Sequence, residues 1–152
     1  MSLDRCNYLD MSGHKIYLRD YKGQVLLLVN IACGGEYAEQ LAGLQALYAE
    51  YGAGGFTVVG FPCGQFSAAA GGNKDVLECC RNRYGVRFPL AQTVQVKGKN
   101  TDVLFKELCG AKSIKGDFTK FLISSDLTVI KRFDPETPPE GLTVIIEEML
   151  KN

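Results

Sequence analysis

The chain has 152 residues, 17 basic and 17 acidic side chains, and a formal net charge of zero. A chain of this length buries about 70% of its unfolded surface, which fits a single domain over residues 1–152 and a core that needs no disulfide scaffold. Balanced, interspersed charge argues against nucleic-acid binding through bulk electrostatics, and a single histidine, His14, excludes a histidine-rich metal site and disfavours Ser-His-Asp or Cys-His catalysis.

In chain order, Asn7 to Asp10 and Lys15 to Leu18 flank Met11-Ser12-Gly13-His14 and read as a small N-terminal hairpin. Val25 to Ile31 is a continuous apolar strand, as expected where both faces are covered. Ala38 to Tyr51 carries Leu41, Leu44, Leu47 and Tyr48 at helical spacing and stops at Gly52, Gly54 and Gly55. Phe56 to Phe61 is a second buried strand ended by Pro62. Ser67 to Gly72 is a loop of small residues, after which Asn73 is expected to cap a helix from Lys74 to Arg83. Val94-Gln95-Val96 reads as a short strand, and Thr101 as the cap of a helix holding Val103, Leu104, Phe105 and Leu108. Phe118 to Ile123 and Leu127 to Phe133 form a second hairpin around Ser124-Ser125-Asp126, and Pro138 and Pro139 open a last helix through Leu150. The order is ββ, β-α-β-α, α-β-β-α. It predicts an α/β thioredoxin fold, a central mixed sheet flanked by helices with a β-hairpin at the N-terminus.

The six cysteines are Cys6, Cys33, Cys63, Cys79, Cys80 and Cys109, and no two form C-x-x-C. Zinc-ribbon and thioredoxin-type dithiol motifs are therefore absent. No basic region precedes an apolar run with a cleavage site, and Val25 to Val29 is too short to span a bilayer. The expectation is a reduced, cytoplasmic protein with no membrane span, no metal and no haem, flavin or nucleotide cofactor.

Four segments carry a more specific signal: Val25-Leu26-Leu27-Leu28-Val29-Asn30-Ile31-Ala32, Gly55 to Phe66 with Phe61-Pro62-Cys63-Gly64-Gln65-Phe66 at its end, Tyr84-Gly85-Val86-Arg87-Phe88-Pro89, and Phe118-Thr119-Lys120-Phe121-Leu122. Together with Val129 to Phe133 they resemble the glutathione peroxidase family from about Asn7 to Leu150. The resemblance implies thiol or selenol peroxidase chemistry. A Cys or Sec attacks the O–O bond, becomes a sulfenic or selenenic acid, and is reduced by glutathione or thioredoxin. A Gln, a Trp and an Asn of the family support that nucleophile.

All four functional positions depart from the pattern. The nucleophile position falls on Gly35, the Gln aligns with Ala69, and the Trp-Asn pair becomes Gly116-Asp117. Cys33 stands two residues before Gly35, where the family has Ser. One reading keeps a weak peroxidase with Cys33 as displaced nucleophile. Gly34 and Gly35 would offer backbone N–H groups, and the N-terminus of the following helix would favour a thiolate. Glu36 and Asp117 oppose this, because negative charges raise a thiol's pKa. The other reading is a catalytically dead scaffold, diverged or engineered, whose widened pocket holds a ligand or partner.

Cys79 and Cys80 fall on the helix that bears the resolving cysteine in thioredoxin-dependent members. Cys80 matches the Cys of the bacterial pattern Phe-Cys-x-x-x-Tyr-Gly-Val and is the candidate resolving residue. The alternative is that one of the pair packs inward and the other is incidental. A direct Cys79–Cys80 disulfide would be strained, since neighbouring helical side chains diverge. Cys63 reads as a buried structural thiol, and Cys6 and Cys109 as bystanders. The segment from Leu108 to Ile114 lacks the longer insertion of tetrameric members. The expected outcome of size-exclusion chromatography is therefore a monomer, and a tetramer-sized peak would contradict the short-branch assignment.

Overall fold

A computed structural model describes residues 3–66 and 72–151. Its central sheet holds four strands in the order β4-β3-β5-β6. These are β3 (Val25–Ile31), β4 (Phe56–Pro62), β5 (Lys120–Ile123) and β6 (Val129–Phe133), preceded by the hairpin β1 (Asn7–Leu9) and β2 (Lys15–Tyr17). β3 runs parallel to β4 and antiparallel to β5, so the sheet is mixed. Among the described residues four α-helices complete the fold: α1 (Gln40–Tyr51), α2 (Asn73–Glu78), α3 (Val103–Cys109) and α4 (Thr143–Leu150). This is the thioredoxin architecture expected from the element order.

Every residue of β3 and β4 is buried. Alternation along β3 sends Leu26 and Leu28 to one face and Val25, Leu27, Val29 and Ile31 to the other. The first face packs on Leu104, Phe105 and Leu108 of α3 and on Tyr8 of the hairpin. The second packs on Leu41, Leu44 and Leu47 of α1, Ile146 of α4 and Cys80 beyond α2. Helices therefore cover both faces, and an all-apolar strand is the consequence. No helix among the described residues is long and apolar enough to cross a membrane.

Local chemistry moves several boundaries. Val94 to Val96 is not a strand; Val94 N–H donates to the Pro62 carbonyl, and Gln65 holds Val96 and Lys97. Asn73 is the first residue of α2 rather than its cap, and its Oδ1 accepts from the Thr93 N–H and hydroxyl. Asp102, not Thr101, caps α3 by accepting from Leu104 N–H at 3.0 Å. The Thr101 hydroxyl donates to Gly98 instead. β5 starts two residues later than the sequence pattern because Phe118 has φ +67°, and β6 starts after Leu127 at φ +66°. Pro139–Leu142 forms a 3-10 turn ahead of α4. The α2 helix ends in a π-helical turn, Cys79–Arg83, a type of irregularity common at functional sites.

Gly60 illustrates how tightly the sheet is covered. A Cβ there would lie 3.0 Å from Ile31 Cδ1, Leu90 Cδ2 and Phe88 Cε1 at once. Gly60→Ala should cost about 1–3 kcal/mol by overpacking. Urea denaturation should show a lower midpoint at unchanged slope.

Candidate active site

The site is built at the carboxyl end of β3. Asn30 is fully buried there, and both ends of its amide bond to one loop. Its Nδ2 donates to the Gly116 carbonyl at 3.2 Å, and its Oδ1 accepts from Thr119 N–H at 3.0 Å. The Asn30 carbonyl accepts from Phe118 N–H at 2.7 Å. These bonds hold Phe118 in its left-handed conformation and bring Gly116 and Asp117 beside the chain leaving β3. Lys120, also fully buried, donates to the carbonyls of Phe118 and Pro135. Burial lowers its pKa to about 8, with Glu136 and Asp134 opposing that shift. Gln65 does the same service across the sheet end: its Oε1 accepts from Val96 N–H and its Nε2 donates to the Lys97 carbonyl.

The loop after Asn30 divides the expected site in two. Gly34, Gly35, Glu36 and Tyr37 line one side of a cleft of about 340 Å³, and Lys115, Gly116, Asp117, Pro135 and Glu136 line the other, with Phe66 between them. Gly35, Gly116 and Asp117, three of the four positions that the resemblance singles out, therefore meet in one cleft. Ala69, the fourth, lies outside the described residues. Gly35 has φ +89°, a backbone conformation that L side chains rarely adopt. A Cβ on Gly116 would meet Pro135 Cγ at 3.3 Å.

Cys33 is not among the residues lining this cleft; its side chain packs with the apolar cluster that contains Cys80. Its sulfur forms a disulfide with Cys79, across a Cα–Cα distance of 6.3 Å and 46 residues of sequence. The sulfur of Cys80 lies 3.7 Å from that of Cys33. The resemblance pointed to Cys80 as Cys33's partner, whereas the bond runs to Cys79. Two adjacent cysteines were legible as candidates. The choice between them depends on how the chain turns at the end of α2, and the π-helical turn there has no apolar-spacing signature.

α1 begins at Gln40, seven residues beyond Cys33, because Gln40, Leu41 and Ala42 first bond to the carbonyls three residues back. The cation near the sulfurs is Arg81, which lowers the Cys80 pKa against the larger effect of burial; the net result is a rise to about 11. Cys63 is buried against the opposite sheet face and bonded to Gln65, so it takes no part in the sulfur cluster. Among the described residues no cluster of three or more His, Cys, Asp or Glu could hold a metal ion.

Asp117 is the least satisfied group in the cleft. Its Oδ1 is buried without a hydrogen-bond partner among the described residues, and burial raises its pKa to about 6.

The glutathione peroxidase family model matches residues 4–109. The chain is 41% identical to the hydroperoxy fatty acid reductase gpx1 of Synechocystis, covering 92% of this chain and 90% of that protein. It is 42% identical to a glutathione peroxidase of Lactococcus lactis, covering 92% and 94% respectively. Among solved structures, the GPX1 protein of T. cruzi superposes with a TM-score of 0.81 at 27% identity, covering 100% of this chain and 98% of that one.

The raised carboxyl of Asp117 has a definite thermodynamic sign. The folded state holds its proton up to about pH 6, while the unfolded state releases it near 3.8, the ordinary aspartate value. Native stability therefore falls as pH rises from about 4 to about 6 and then levels off. Asp117→Asn should be more stable than the parent at pH 7, by about 1 kcal/mol after discounting for the solvent that reaches this half-buried group. The difference should vanish at pH 4 when both proteins are unfolded in urea across that range.

Proposed function

Because this chain belongs to the glutathione peroxidase family, we propose that it is a thiol-dependent reductase of hydrogen peroxide or lipid hydroperoxides, with Cys33 as a displaced nucleophile. The observation that carries this reading is the disulfide between Cys33 at the end of β3 and Cys79 at the end of α2. A nucleophilic sulfur with a second thiol in bonding reach is the minimum equipment of a two-cysteine peroxide reductase.

The reaction balances with these residues. The Cys33 thiolate attacks one peroxide oxygen, the O–O bond breaks, and the alkoxide or hydroxide leaves and takes a proton. Cys33 is now a sulfenic acid. A thiol from the Cys79–Cys80 pair attacks the Cys33 sulfur, water departs, and a disulfide forms. Two glutathione thiols, or one thioredoxin dithiol, then return both cysteines to thiols and carry away the oxidising equivalents. The partners of the reading are thus a peroxide and a thiol reductant, in the cytoplasm, with the protein acting as a monomer.

Turnover by this route is slow. The family's Gln and Trp are replaced by Ala69 and Gly116, so few preorganised donors face the departing oxygen. Glu36, three residues after Cys33, adds unfavourable charge close by in the chain. The second reading, a non-catalytic scaffold, draws support from the cleft at Gly35, Gly116 and Asp117, whose lining includes no sulfur.

One variant separates the readings, and a second tests the backbone at Gly35. Cys33→Ser should abolish the slow peroxidase turnover measured with glutathione or thioredoxin, leaving only the uncatalysed rate. Gly35→Cys should lose about 1 kcal/mol of stability, because a side chain at φ +89° is strained. An unchanged rate in Cys33→Ser, or no detectable turnover in the parent with no sulfenic acid at Cys33, favours the scaffold reading.

A further inference from the structure

We propose that Cys33, Cys79 and Cys80 form a three-sulfur exchange centre, in which Cys80 is a second partner for Cys33 and competes with Cys79 for the same bond. This inference deepens the peroxidase reading for one of its two steps and is independent of it for the other.

Three observations converge. The Cys80 sulfur stands 3.7 Å from Cys33, which is already bonded to Cys79, so a small displacement brings either neighbour into bonding reach. Cys80 is fully buried beside Phe88 and Val86, whereas Cys79 is half-buried. The Cys80 backbone is fixed as well, since its carbonyl accepts from Val86 N–H at 3.0 Å. Cys79 and Cys80 are adjacent in a helical turn, where their side chains diverge, which disfavours a bond between them. Cys33 is therefore the hub, and the two helical cysteines are its alternatives.

Two balanced steps follow. In the first, which rests on Cys33 as peroxide nucleophile, a Cys33 sulfenic acid is attacked by the Cys80 thiol, giving a Cys33–Cys80 disulfide and water. Two thiols compete to capture the sulfenic acid, so a second peroxide has less opportunity to drive it to the sulfinic acid. In the second step, Cys80 attacks the Cys33 sulfur of the existing disulfide. The Cys33–Cys79 bond breaks, the Cys33–Cys80 bond forms, and the proton lost by Cys80 passes to the departing Cys79 thiolate. No net oxidation occurs. The bond is transferred from a half-buried partner to a fully buried one, and a half-buried thiol is released at Cys79. A protein dithiol then meets two oxidised forms of unequal accessibility, the one through Cys79 being easier to reduce.

The test uses the full chain with Cys79→Ser, the half-buried member, and Cys79→Ala as a second variant, each checked for native circular dichroism. Reduced protein is treated with diamide, a thiol oxidant that needs no peroxidase activity. Free thiols are blocked, and fragment ions that cut between Cys79 and Cys80 identify the bonded residue. A Cys33–Cys80 disulfide is expected in both variants. Its rate of formation should rise about tenfold per pH unit from pH 7 to 9, because the Cys80 thiolate is scarce below about pH 11. Adding Cys80→Ala to Cys79→Ser should remove the product. Absence of the Cys33–Cys80 bond in folded Cys79→Ser and Cys79→Ala overturns the proposal and leaves Cys80 as core packing. Hydrogen peroxide in place of diamide distinguishes the two levels. Crosslinking by diamide but not by peroxide upholds the exchange centre while the peroxidase reading fails. Crosslinking by both upholds both.

Discussion

Asn30 is a polar side chain at the end of a strand buried on both faces, with no access to water. An unpaired amide there would cost about 1–3 kcal/mol for each group left unsatisfied. Its partners are all in the Gly116 to Thr119 segment, so the strand end and that loop are tied as one piece. Everything that faces the site follows from this clamp. Phe118 is held at positive φ, Asp117 is held beside the cleft, and the chain after Ile31 leaves the sheet at a fixed point. Lys120 and Gln40 extend the clamp to the Pro135 carbonyl, which accepts from both.

On that fixed frame, the chain between Ala32 and Glu36 decides which side of the site carries sulfur. Gly35 takes a left-handed conformation that disfavours a side chain, and the cysteine stands two residues earlier. The consequence is geometric. The cleft formed with Gly116 and Asp117 has no sulfur in its lining, while Cys33 turns to the end of α2 and meets two more cysteines. Cleft and sulfurs are adjacent but face different elements. The π-helical turn at Cys79–Arg83 is the matching feature on the other side, since it sets which cysteine faces Cys33.

Much of this was legible before any coordinates. The all-apolar run at Val25–Ile31 and the leucine spacing of α1 identify a covered sheet, and the Phe61 to Phe66 and Phe118 to Leu122 segments identify the family. The resemblance singles out Gly35, Gly116 and Asp117 together, and all three line one cleft. What was not legible depends on backbone detail that side-chain pattern does not encode. The cap of α3 passed from Thr101 to Asp102 because either residue can accept from the first turn. Asn73 entered α2 because Thr93, 20 residues away, claims its side chain. The Cys79 bond depends on a local widening of a helix, and neither propensity nor periodicity specifies it. The start of α1 at Gln40 rather than Ala38 arises from a run of tight turns over residues 37–42 that also carries helical spacing.

On the proposed route, oxidising equivalents from a peroxide end in the bond between Cys33 and the cysteines at the end of α2. A single-turnover titration tests it most directly. Fully reduced protein is mixed with substoichiometric hydrogen peroxide and no reductant, and residual peroxide and free thiols are counted together. The account predicts two thiols lost for each peroxide consumed, with Cys33 bonded to Cys79 or Cys80 and the thiols of Cys6, Cys63 and Cys109 intact. Peroxide that persists beside an undiminished thiol count, or thiol loss that leaves Cys33 reduced, would contradict it.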